Sequence, residues 1–187
     1  MNTLNEEQTV NEFFEAVYDF PPQDRAMYRF ARRKHGDTKA IRRSTGEPYF
    51  VHPESVAKIA IAYGGTDDEI KAALAHDTIE DTGATYDDIK EKFGKKVADI
   101  VLEVTNDNQR IHDLGKELYM NLKIASISKE ALFVKLCDML HNTLDYPRTD
   151  QKGRMKKNID YLIAHRNLGS RELELIDSIM ERMVGDK

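Results

Sequence analysis

The chain has 187 residues, enough for one domain with a sizeable core. Its formal net charge of −5 excludes a global basic field for nucleic acid, and no apolar run approaches the roughly 20 residues that span a bilayer. The polar, acidic start has neither the basic nor the apolar stretch of a secretory signal, and a single cysteine, Cys137, excludes an internal disulfide, so a cytoplasmic protein without nucleic-acid or membrane partners is expected.

In chain order, residues 6–20 carry Val10, Phe13, Phe14, Val17 and Tyr18 at helical spacing, and Pro21-Pro22 ends that helix. A second helix runs from about Asp24, with Met27, Phe30 and Ala31 on one face. Residues 39–52 read as a loop, because they contain Ser44-Thr45-Gly46-Glu47-Pro48. Arg32, Arg33, Lys34, Lys39, Arg42 and Arg43 crowd into this region. They form either a solvated basic face or a grip for a phosphorylated small molecule. Pro53 opens the next helix at its favoured first-turn position, Val56, Ile59, Ala60 and Tyr63 line its face, and Gly64-Gly65 stops it.

Thr66-Asp67-Asp68-Glu69 is a capping-box start, and the spacing behind it predicts one helix over 70–81. Thr85 with Asp88 starts another helix, which Gly94 closes; Val97, Ile100, Val101 and Val104 continue the helical period. Long helices follow at about 114–127, 129–144, 153–165 and 170–184. No hairpin turn or strand alternation is evident. The pattern predicts an all-α fold, a single-domain bundle of short crossing helices.

Three segments carry chemistry. In Ala75-His76-Asp77-Thr78-Ile79-Glu80-Asp81 a histidine and three carboxylates follow an apolar stretch. On a continuous helix His76 stacks over Glu80, and Asp77 over Glu80 and Asp81. Clustered carboxylates repel unless something positive sits among them, and a divalent cation takes both imidazole nitrogen and carboxylate oxygen. The plain alternative is an exposed acidic helix end. In Lys135-Leu136-Cys137-Asp138-Met139-Leu140-His141-Asn142 a carboxylate lies among apolar neighbours, where it needs a partner. That partner is a metal or a neighbouring helix; Cys137 suits core packing better than ligation. The third segment, Gly46-Glu47-Pro48-Tyr49-Phe50-Val51-His52-Pro53, holds a histidine fixed by the following proline, which alone reads as a structural residue.

Taken together, Gly46-Glu47-Pro48-Tyr49…His52-Pro53, His76-Asp77…Glu80-Asp81-Thr82 and Lys135-Leu136-Cys137-Asp138…His141-Asn142 resemble the hydrolase domain of RelA/SpoT-type proteins. The order and rough spacing match over about residues 24 to 145. The resemblance implies an all-α HD domain in a stand-alone small alarmone hydrolase. It implies a metal, typically manganese, on His52, His76, Asp77 and Asp138. The implied reaction removes pyrophosphate from the 3′ position of ppGpp and pppGpp, leaving GDP or GTP. Glu80 and Asp81 match the catalytic acidic pair, which would orient a metal-activated water or accept its proton. The loop with Arg42, Arg43, Ser44 and Thr45 matches nucleotide and phosphate contacts, and Asn142 matches a position near the ribose and base. The loop is longer here than in the long enzymes, so Arg42 and Arg43 both remain candidates. Two alternatives stay open: an HD phosphatase of another phosphomonoester, such as a deoxynucleotide or a 2′-phosphorylated dinucleotide, and a nucleotide sensor without turnover.

Overall fold

The computed structural model describes residues 16–42, 46–144 and 149–184. Most of the helix expected over 6–20 lies outside the described residues, and so do Arg43, Ser44 and Thr45. Regular structure among the described residues is helical, apart from one isolated antiparallel bridge between Ile41 and Pro48. Beyond residues 16–18, which are helical, the helices are α1 Arg25–Thr38, α2 Val51–Ala62, α3 Asp67–Ala75, α4 Thr78–Asp81, α5 Tyr86–Phe93, α6 Lys95–Val104, α7 Asn108–Leu114, α8 Lys116–Ser126, α9 Lys129–Leu144, α10 Thr149–His165 and α11 Ser170–Val184.

Local chemistry explains most of these boundaries. Thr66 Oγ1 accepts from the Glu69 amide at 3.4 Å while Glu69 Oε2 accepts from the Thr66 amide at 2.7 Å, the reciprocal cap that opens α3. Thr85 and Asp88 open α5 in the same way. Elsewhere the structure departs from the sequence expectation. The helix expected over 70–81 breaks at His76 and Asp77 into α3 and α4. Two side chains compete there for backbone carbonyls: His76 Nδ1 donates to Ala73 O and Thr78 Oγ1 to Ala75 O, both at 2.7 Å. The helix expected over about 114–127 is α8, Lys116–Ser126, and a further short helix, α7, precedes it. Asp107 caps α7 by accepting from the Arg110 amide at 3.0 Å, and Gly115, at φ +77°, turns the chain into α8. His52 sits inside the first turn of α2, which begins at Val51; Pro53 is still in that turn, where its missing N–H costs nothing. The helix expected from Gly153 begins earlier, at Thr149.

Helix α9 is the hub. It packs against α2, α3, α6 and α11. Ala131, Leu132, Phe133, Val134, Leu136, Cys137, Met139 and Leu140 are all buried, so it is apolar almost all round, as a central helix must be. Its second half meets the start of α2 and the end of α3, and that junction carries the acidic and imidazole groups. The far side is closed by Arg171 of α11. Its guanidinium donates to both oxygens of buried Glu69 at 3.0 Å, to Gly64 O at 2.9 Å, and lies 4.2 Å over the Phe133 ring.

The turn between α2 and α3 is tight enough to exclude a side chain. A Cβ on Gly65 would lie 2.8 Å from Ala60 O and 3.1 Å from Phe133 Cε1. Gly65→Ala is therefore expected to lower the unfolding free energy by about 1–3 kcal/mol in urea titration, as overpacked positions do. An unchanged midpoint would show that the turn yields freely and is not a packing constraint.

Candidate metal centre

Three segments of the fold bring four donors together. His52 comes from the first turn of α2, His76 and Asp77 from the break between α3 and α4, and Asp138 from the middle of α9. His52 Nε2 lies 3.2 Å from His76 Nε2, 3.1 Å from Asp138 Oδ1 and 3.6 Å from Asp77 Oδ2. His76 Nε2 lies 3.1 Å from Asp77 Oδ2 and 3.9 Å from Asp138 Oδ1. Around one ion with bonds of about 2.1 Å, neighbouring ligand atoms sit roughly 3.0–3.4 Å apart. The donor set therefore fits a divalent cation, and His52, His76 and Asp138 form a buried group able to hold one. Asp77 stands at the break as the N-cap residue of α4, its carbonyl accepting from the Asp81 amide at 2.8 Å and its carboxylate beside His76.

Each donor is aimed by a second bond. The Ala73 carbonyl can only accept, so His76 carries a proton on Nδ1 and presents Nε2 to the cluster. His52 Nδ1 is bonded to His141 Nδ1 at 2.8 Å, leaving its Nε2 inward as well. The Tyr49 hydroxyl donates to Asp77 Oδ2 at 2.7 Å. On Asp138, Lys135 Nζ donates to Oδ2 at 2.6 Å and Asn142 Nδ2 to Oδ1 at 2.7 Å.

The electrostatics follow from crowding. Burial alone would push both carboxyls up, but Lys135 and the two imidazoles hold Asp138 well below the usual carboxylate range, and His76 does the same for Asp77. Burial opposes a charge on His76; Asp77 and Asp138 outweigh it and raise the imidazole to about 9. Burial pushes His141 and His35 down to about 4 each, so both are neutral at pH 7. His35 stacks on the Tyr49 ring at 5.4 Å and walls the cluster on that side.

The sequence-derived candidates divide. His52, His76, Asp77 and Asp138 converge. Glu80 and Asp81 are exposed at its edge. The helix on which His76 was expected to stack over Glu80 breaks between them. Glu80 instead accepts from the Asn106 amide at 3.0 Å and from Asn106 Nδ2 at 3.3 Å. Asp81 is raised by partial burial and by the charge of Asp77. Arg42 is buried beside the cluster, within the electrostatic reach of Tyr49, Asp138 and Asp77. Asn142 is half-buried and engaged with Asp138. Cys137 faces the core, its thiol pushed up by burial. Sequence reasoning quoted Tyr49 and Lys135 but gave them no task. Their spacing was the signal: Tyr49 is three residues before His52, and Lys135 is three before Asp138. Asn106 and the buried Lys123, whose ammonium burial pushes down to about 7, gave no such signal.

A model of the HD domain matches residues 28–164 of this chain. A guanosine-3′,5′-bis(diphosphate) 3′-pyrophosphohydrolase of Aquifex aeolicus is 36% identical over 171 residues, covering 86% of this chain and 24% of that protein. The 3′-pyrophosphohydrolase MESH1 of Xenopus tropicalis is 36% identical over 156 residues, covering 81% of this chain and 85% of that protein. The chain thus spans about a quarter of the first relative and most of the second. A solved structure of a metazoan SpoT orthologue, described as hydrolysing ppGpp, superposes with a TM-score of 0.69 at 25% identity, covering 87% of this chain and 97% of its own.

The raised His76 has a measurable consequence. Near pH 7 its imidazole holds a proton that a cation must displace, whereas burial keeps His52 neutral. About one proton is therefore expected to leave per cation bound at pH 7, and apparent affinity should climb with pH until about 9. Manganese titration by calorimetry in buffers of different ionisation enthalpy reads the number. Binding at pH 7 without proton release would show that His76 is not displaced.

Proposed function

Because this chain belongs to the HD-domain family, we propose that it is a metal-dependent phosphohydrolase that removes the 3′-pyrophosphate of guanosine alarmones. ppGpp yields GDP and pyrophosphate, and pppGpp yields GTP and pyrophosphate. The observation that carries the reading is the match, along most of its length, to a relative named as that hydrolase. The four converging donors support it. His52, His76, Asp77 and Asp138 are the proposed ligands, and manganese is the proposed metal. A divalent cation there supplies Lewis acidity toward phosphoryl oxygens and lowers the pKa of water.

The chain's own residues do the rest. Glu80 and Asp81, at the edge of the cluster, orient the attacking water and take its proton. Water adds to the phosphorus bonded to the 3′ oxygen, the P–O3′ bond breaks, and the 3′ oxygen takes up a proton as pyrophosphate departs. Arg42, together with Arg43, Ser44 and Thr45, grips the phosphates; a guanidinium fork suits their oxygens and balances charge that grows on them. Asn142 faces the ribose and base from the Asp138 side. Tyr49 and Lys135 keep the two carboxylates aimed. Among the described residues no helix is long and apolar enough to cross a membrane, and the cytoplasmic nucleotide pool is the proposed setting.

Asp138→Asn and His76→Ala are each expected to abolish turnover and lower metal content together, with the helical circular dichroism kept. Removing one donor from a small set costs the site its charge balance and its geometry. Full metal with a near-normal rate in Asp138→Asn would remove Asp138 from the ligand set.

Substrate is tested by product analysis with manganese present. ppGpp, its adenosine analogue and a 2′-phosphorylated dinucleotide are offered at equal concentration. Intact pyrophosphate and GDP from ppGpp are expected, not two single phosphates. Cleavage of a simple phosphomonoester with ppGpp left untouched would overturn the alarmone reading and leave a general HD phosphatase.

A further inference from the structure

Glu80 stands on α4, a helix of four residues. So short a helix cannot hold a side-chain direction through its own hydrogen bonds. The carboxylate nevertheless has both oxygens engaged, and by a single residue far along the chain: the Asn106 amide meets Oε2 at 3.0 Å and Asn106 Nδ2 meets Oε1 at 3.3 Å. Asn106 lies in the three-residue turn between α6 and α7, where no regular ladder fixes it either.

What fixes that turn is Lys123, from α8. Its Nζ donates to Val104 O at 2.7 Å, to Thr105 O at 2.6 Å and to Asn106 Oδ1 at 3.3 Å. The ammonium sits at the C-terminal end of α6, where carbonyls lack amide partners and the helix dipole favours a cation. Tyr119, one turn earlier on α8, accepts from the Asp107 amide at 2.8 Å and secures the other side of the turn. Lys123 is 8% exposed, so this cation is placed for internal work and not for solvent. With its Oδ1 held by Lys123, the Asn106 amide can turn only its Nδ2 toward Glu80. The ammonium thus sets both the position of the turn and the flip of the amide.

We propose that Lys123 and Asn106 form a positioning pair that orients the Glu80 carboxylate for proton transfer at the metal centre. The inference rests on the catalytic role assigned to Glu80 above. Neither residue touches substrate; both act through Glu80. A purely structural staple between α4 and the α6–α7 turn would make the same contacts, and the kinetics separate the two.

Four variants are compared with the wild type for kcat, KM, manganese stoichiometry and urea midpoint: Glu80→Gln, Asn106→Ala, Asn106→Asp and Lys123→Met. Outer partners of a catalytic group typically contribute about 10–100-fold. Asn106→Ala is expected to lose about that much in kcat, with KM and metal content unchanged. Lys123→Met should follow it; Asn106 is only half-buried, so its variants carry the test even if Lys123→Met does not fold. Asn106→Asp keeps an oxygen for Lys123 but replaces the donor to Glu80 with a repelling one. It should lose at least as much kcat as Asn106→Ala with a midpoint no lower, which a staple does not predict. In the Glu80→Gln background, Asn106→Ala should cost little more, because the group it aims is already gone. Full kcat in Asn106→Ala, or a full additional loss in the Glu80→Gln background, overturns the positioning role. A normal rate in Glu80→Gln alone overturns the catalytic assignment of Glu80, and the inference with it.

Discussion

Two imidazole nitrogens 3.2 Å apart, flanked by carboxylate oxygens at 3.1 Å, place like groups in contact inside a protein. Lone pairs and negative charges at such distances persist only when positive charge is shared among them. The rest of the site answers that demand. Lys135 takes the outer oxygen of Asp138, Tyr49 takes Asp77, Arg42 is buried alongside, and His76 is raised to about 9. A divalent cation would answer it more completely, since it would place two charges where the donors of His52, His76 and Asp138 meet.

The same demand shapes the backbone. A continuous helix through 70–81 would send His76 and Asp77 in directions about 100° apart. The break between α3 and α4 falls at this pair, whose imidazole and carboxylate lie 3.1 Å apart. It also shortens α4 to a single turn, and Glu80 then depends on a distant turn for its orientation. One local interruption thus coincides with the His76–Asp77 pair and leaves the acidic residue beyond it in need of outside support.

Packing and chemistry meet on α9. Its apolar residues hold α2, α3, α6 and α11 in place, and its Asp138 closes the cluster. Charge and core are therefore fixed by one element. The distances between donors from three helices are only as exact as the packing of Leu132, Phe133, Leu136 and their neighbours, which is dense and tolerant of little change. The Arg171–Glu69 pair anchors the opposite face.

Composition and period were enough to determine an all-helical chain, its two capping boxes and most of its helices, because these depend on residues within a few positions of one another. The candidate donors were legible for the same reason: a histidine and carboxylates fall within one turn, and an aspartate falls in an apolar helix, each within a few positions of sequence. The break at His76 depends on competition for particular carbonyls, and periodicity does not register that competition. Tertiary structure alone decided the pairing of His52 with His141 and the reach of Asn106 to Glu80. His52 and His141 stand 89 residues apart, and Asn106 and Glu80 stand 26 apart. Such contacts arise from how helices cross, and crossing is set by the whole packed core rather than by any window of sequence.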